Sequence, residues 1–218
     1  MEPSENIRPL KDVWLRPRRV FRALSPQPVG LVDYLLAATI GIGNFLALYR
    51  TQAAGARVPI LEIVAQSVAY GAVAGVVGTL LMGLIYARLS NRAGGRATVP
   101  QVIHVLAYGN VPTAASAALW VLSALLLGEA AFIDTPKTEI EGFPAFLLYV
   151  QFALYLILSL WSVVLQVMGL SEIQGFLMRK AFGIWLLGQL IWVLASLFLV
   201  QLLELLFSGV LPHLVPNH

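Results

Sequence analysis

The sequence has no cysteine, which excludes disulfides, thiolate metal sites and cysteine nucleophiles and leaves the redox compartment unreadable. Histidine is nearly as scarce. His104, His213 and His218 are the only three, and two stand in the C-terminal tail, so no His-x-x-x-His or similar metal cluster exists. Nor is there a Gly-x-Ser-x-Gly elbow or a glycine-rich phosphate loop with its lysine. Gly94-Gly95 lacks the strand–helix context that such loops require. Charge is thin as well. Asp, Glu, Lys and Arg make up 11% of the chain, whereas a soluble domain carries about 25% to keep its surface in water.

What is present in quantity is apolar sequence, 59% of 218 residues. It falls into five runs, at residues 29–49, 60–87, 101–127, 144–168 and 182–207. Each is long enough for the roughly 20 residues that a helix needs to cross a bilayer. Lipid cannot satisfy backbone polar groups, so the runs are expected to be helices. The short alternating strands of a membrane β-barrel are missing. The expectation is an all-α polytopic membrane protein, a bundle of five transmembrane helices (29–207). A basic amphipathic segment (1–28) precedes it and a short external tail (208–218) follows.

Basic residues orient the chain. Eleven of the fourteen lie on one side: Arg8, Lys11, Arg16, Arg18, Arg19 and Arg22 before the first run, Arg88, Arg92 and Arg96 in the second connection, Arg179 and Lys180 in the fourth. Arg50, Arg57 and Lys137 lie on the other. This asymmetry predicts a cytoplasmic N-terminus and an external C-terminus in a plasma membrane, a bacterial inner membrane being the natural setting. The third connection, 128–143, is acidic through Glu129, Asp134, Glu139 and Glu141. Ala54-Gly55-Ala56 imitates a signal-peptidase site. The apolar run before it is too long for a signal core and begins too far into the chain, so the run is read as a retained span.

The sharpest local pattern spans residues 10–24. At 100° per residue Leu10, Val13, Trp14, Pro17, Val20, Phe21 and Leu24 share one sector, and Lys11, Arg16, Arg18, Arg19 and Arg22 fill the rest. Such segregation suits a helix in the headgroup layer, with Trp14 and Phe21 toward the membrane and Arg16, Arg18, Arg19 and Arg22 toward anionic lipid. Pro17 removes a hydrogen bond, so the helix is expected to begin near it after a short turn. A juxtamembrane anchor and a partner-docking helix both fit this segment.

Within the spans, Gln151, Tyr155, Ser159, Ser162 and Gln166 form one stripe at helical spacing. Polar groups facing lipid are costly, so the stripe is expected to face other helices, as hydrogen-bonding glue or as a hydrophilic pathway. Gly71, Gly75, Thr79 and Gly83 repeat every fourth position, which permits close approach of a neighbouring helix from this chain or another. Gly109 and Pro112 should kink the third span and free carbonyls, one of which Asn110 could take. Glu204 lies about a turn from the outer end of the fifth run, where a helix C-terminus disfavours negative charge. It needs a partner, water or a proton, and reads as an interfacial carboxylate or a proton- or cation-responsive site. Asp33 and Glu62 stand in first turns, where the macrodipole favours carboxylates. His104 is placed at the interface.

Several motifs, in order along nearly the whole chain, resemble the Yip family, the Ypt/Rab-interacting membrane proteins and their bacterial relatives. They are Trp14-Leu15-Arg16-Pro17-Arg18-Arg19-Val20-Phe21, Gly94-Gly95-Arg96-Ala97-Thr98-Val99-Pro100-Gln101, and Ala107-Tyr108-Gly109-Asn110-Val111-Pro112. Trp161 and Leu170 bound a fourth, with Ser171-Glu172-Ile173-Gln174-Gly175-Phe176 and Lys180-Ala181 after it. The resemblance implies an integral membrane protein whose eukaryotic relatives act in Golgi and secretory trafficking through Rab GTPases and partner membrane proteins. The longer cytosolic region and Asp-Leu-Tyr-Gly-Pro element of those relatives are missing here. The likeness is to the compact bacterial branch, and a Rab-binding role does not carry over.

The carboxylates inside the spans are too far apart to suggest an acid/base pair. The expectation is a non-enzymatic protein without a cofactor. Its partners would be the bilayer, anionic headgroups on the cytoplasmic face, and a protein partner or a second copy, not nucleic acid. A membrane-organising subunit is the first reading. A transporter or channel-like protein for a small solute or lipid, using the fourth-span stripe, is the alternative.

Overall fold

The computed structural model describes residues 7–133 and 142–207. Asp134, Glu139 and Glu141 of the acidic connection, and the tail 208–218, lie outside the described residues. Two short helices, α1 (Pro9–Asp12) and α2 (Pro17–Leu24), precede the bundle. Pro17 opens α2, a position whose N–H would be unsatisfied in any case. Span one is α3 (Leu31–Thr51). Span two comprises α4 (Ile60–Gln66), a π-helical turn (Ser67–Gly71) and α5 (Ala72–Arg92). Span three is α6 (Val99–Gly109) followed by α7 (Val111–Leu127), span four is α8 (Phe143–Gln174), and span five is α9 (Met178–Phe207). The chain is therefore all-α, with five helices long and apolar enough to cross a membrane. α8 runs six residues past the expected 168.

Ends are set by side chains and glycines. Asp33 Oδ2 accepts the Gly30 N–H at 2.9 Å and caps α3, and Gln101 Oε1 accepts the Thr98 N–H at 2.8 Å and caps α6. α5 and α8 stop the same way, with left-handed Gly94 (φ 85°) and Gly175 (φ 68°). Beyond them Gly95 and Phe176 donate back to the Ser90 and Ser171 carbonyls, at 2.8 and 3.1 Å. These turns place the starts of α6 and α9 beside the ends of α5 and α8, at the N-terminal end of the bundle.

The five spans close a ring: α3 packs on α5 and α7, α7 on α8, α8 on α9, and α9 on α5. α3 and α5 touch most closely at glycines. A Cβ on Gly41 would lie 2.6 Å from the Gly75 Cα, too near for any side chain. Span three leaves the ring at Asn110, which breaks the helix with ψ 10°. The following Pro112 has no N–H to continue the ladder. Its outer half α7 stays in the wall, while α6 swings inward between α5 and α8. All eight residues from Val102 to Gly109 are buried. The ring is thus filled at its N-terminal end and widens beyond.

α2 closes this end from outside, packed on α8 and α6. Val20, Phe21 and Leu24 join Tyr86, Val102, Val105, Leu165 and Leu170 in the main core. Phe21 is 1% exposed. The apolar face expected to enter lipid is instead buried in the protein at Pro17, Val20, Phe21 and Leu24, because α8 continues to Gln174 and with α6 gives α2 a surface to pack on.

Candidate functional site

Where the ring widens, it forms an open-sided cavity of about 700 Å³ to which all five spans contribute. The floor is a chain of hydrogen bonds across spans five, four and three. Trp185 Nε1–H donates to Gln166 Oε1 (3.1 Å), Gln166 Nε2–H to Asn110 Oδ1 (2.9 Å), and Asn110 Nδ2–H to the Leu106 carbonyl (2.9 Å). Indole nitrogen only donates and a carbonyl only accepts, so both amides are fixed in one orientation. The broken ladder at Asn110 supplies the free carbonyl. Beside it Ser162 Oγ accepts the Thr113 N–H at 3.1 Å, one of the donors stranded in the first turn of α7, and the Thr113 hydroxyl at 2.8 Å.

The upper walls differ. Asn44, Thr79, Tyr155 and Ser159 face the cavity and make no hydrogen bond among the described residues. Gln189 and Trp192 complete the α9 side. Among the described residues no charged side chain lines the space.

Of the expected polar stripe, Tyr155, Ser159, Ser162 and Gln166 lie on the cavity together with Asn110. Gln151 does not. It accepts a hydrogen bond from Ser123 across the α7–α8 contact, with its own Nε2 unpaired. The glycine ladder divides between two neighbours. Gly71 and Gly75 meet the backbone of Gly41 and Ile42 on α3, Gly83 meets Ile103 of α6, and Thr79 faces the cavity. Glu204 is in α9, and its side chain lies outside what the structure describes. At the N-terminal face Arg16, Arg18 and Arg22 are exposed, Trp14 and Arg19 are partly covered, and Phe21 is unavailable to lipid. Arg22 binds Glu172 of α8 at 2.6 Å.

His104 corrects an expectation. It is not interfacial but 3% exposed, with Nδ1 2.7 Å from Asp33 Oδ1 and Nε2 3.1 Å from the Gln27 carbonyl. That carbonyl can only accept, so Nε2 carries a proton, and a second proton lies between Nδ1 and the carboxylate. Asp33 thus caps its own helix and ties α3 to α6, and His104 extends the tie to the linker after α2.

Sequence reasoning missed this pair, and it missed α9 as a cavity wall. Both left a signal. Asp33 and His104 are ionisable groups near the same end of two spans, and Trp185, Gln189 and Trp192 repeat at i, i+4 and i+7.

Among the described residues no group of His, Asp and Glu could hold a metal ion. No curated protein and no solved structure matches the chain. The family model for the Yip1 domain matches residues 11–200. That match runs from the amphipathic segment through the fifth span, and the chain belongs to the Yip1 domain family.

Proposed function

We propose that this protein is a non-enzymatic, membrane-organising subunit that recruits an anionic partner to a rigid basic platform. The observation that supports this reading is the burial of the α2 apolar face in the bundle. A helix anchored in that way cannot roll, so Arg16 and Arg18 stay turned outward. Arg88, Arg92, Arg96, Arg179 and Lys180, all exposed, stand at the same end of the bundle. Under the positive-inside rule this end is cytoplasmic, in a plasma membrane of bacterial inner-membrane type. The partner is an acidic segment of another membrane protein or of a second copy, held beside anionic headgroups. A photocrosslinker placed at position 18 in native membranes tests this. A discrete protein adduct lost on Arg16→Glu with Arg96→Glu is the expected result, and an adduct pattern that ignores charge reversal rejects the platform.

A second reading is favoured by the cavity: binding or passage of a small solute or lipid. Five spans leave little room for the paired repeats of an alternating-access carrier. In that reading the protein works as an oligomer.

A further inference from the structure

We infer that the cavity binds an uncharged polyhydroxy group, a sugar or glycerol-like head, an inference that rests on the second reading above. Its volume of about 700 Å³ falls within the range of small-molecule sites, about 300–1,000 Å³. Among the described residues its lining carries no charge. A phosphate or ammonium brought there would lose its hydration without finding a counter-ion, which is prohibitive at bilayer depth. An ordinary charged headgroup is therefore a poor occupant.

The polar groups say what is a good one. The floor is already satisfied, each of its amides paired on both the donor and the acceptor side. Asn44 on α3, Thr79 on α5, and Tyr155 and Ser159 on α8 are not. They converge from three walls and together offer both donors and acceptors. Asn44 is exposed and Thr79, Tyr155 and Ser159 are half-buried, so all four stand open to a ligand from the cavity side. A ligand that satisfies them must itself donate and accept at several points, which hydroxyls do and an ester or an alkyl chain does not. Trp185 and Trp192 on α9 add broad aromatic faces with polar edges, suited to the flat C–H face of a sugar ring.

Access is on the same side. Trp192 is partly covered, and the seven residues after it, Val193 to Leu199, are all exposed. Seven consecutive residues are two turns of helix and take in every face. Beyond Trp192 the ring is therefore unsealed beside α9, and a head can enter from the bilayer.

Full-length protein in phosphatidylcholine nanodiscs, read by intrinsic tryptophan emission, decides the matter. The probes are monoglucosyl diacylglycerol, free glucose, diacylglycerol and phosphatidylglycerol. A saturable shift with the glucosyl lipid or with glucose is expected; whichever acts identifies the source as bilayer or solution. Trp192→Phe should shrink the signal, and Asn44→Leu or the milder Ser159→Ala should weaken half-saturation about tenfold, while Leu197→Ala should not. A shift with diacylglycerol or phosphatidylglycerol but neither sugar overturns the ligand class and leaves the cavity as a binding site. No saturable shift with any probe overturns the second reading along with it.

Discussion

Two stretches of helix of similar length and composition have opposite surroundings. In α6, Val102 to Gly109 are buried on every face; in α9, Val193 to Leu199 are exposed on every face. Both are apolar enough for lipid, so hydrophobicity does not separate them. The difference lies in what surrounds each helix. Asn110 and Pro112 release α6 from the ring wall and let it fill the interior, where polar contacts to α3 and to the linker after α2 become available. Along Val193 to Leu199, by contrast, no neighbouring helix covers α9. Span identity and packing depth are therefore separate properties, and here one residue break decides the second.

Removing what anchors the buried stretch should have the largest effects. Phe21→Ala takes a fully buried ring from the contact between α2 and the core, and should cost about 3–5 kcal/mol, seen as a large drop in the detergent melting temperature. His104→Leu leaves Asp33 as a buried carboxylate without its partner and should cost nearly as much, about 3–5 kcal/mol. The double variant His104→Leu with Asp33→Leu should recover part of the loss. Additive losses in that double variant would show that the pair is not coupled. Gln166→Leu cuts two bonds of the floor and should cost about 1–2 kcal/mol, without dispersing the bundle. Leu197→Ala on the free part of α9 should change stability by under about 0.5 kcal/mol. A loss there comparable to that of Phe21→Ala would erase the contrast.

Much of this was legible before any coordinates. Charge depletion and run length gave five spans because bilayer thickness sets helix length directly. The period of 3.6 put Tyr155, Ser159, Ser162 and Gln166 on one face, and four of the five stripe residues share the cavity. Gln151 fell elsewhere because it sits beside Ser123 on α7, a neighbour that spacing along α8 cannot reveal. The residues at 109–112 announced a break but not its direction, which depends on the space between α5 and α8. The amphipathic pattern of α2 required one buried face. Whether lipid or protein buries it depends on whether α8 continues far enough to meet α2, and composition at residues 169–174 does not fix that.

The one-way chain from Trp185 through Gln166 and Asn110 to the Leu106 carbonyl has an electrical meaning. Moving a proton along a row of hydrogen bonds requires each link to release one proton, accept another and then reverse. Indole and amide nitrogens hold their protons at physiological pH, and this chain cannot reverse, since its first member has no lone pair to offer and its last has no proton. A polar pocket deep in a bilayer is a hazard to an energised membrane, because water and titrating groups together make a short circuit. Here the cavity floor is polar enough to hold three spans together and yet, along this chain, offers a proton no path.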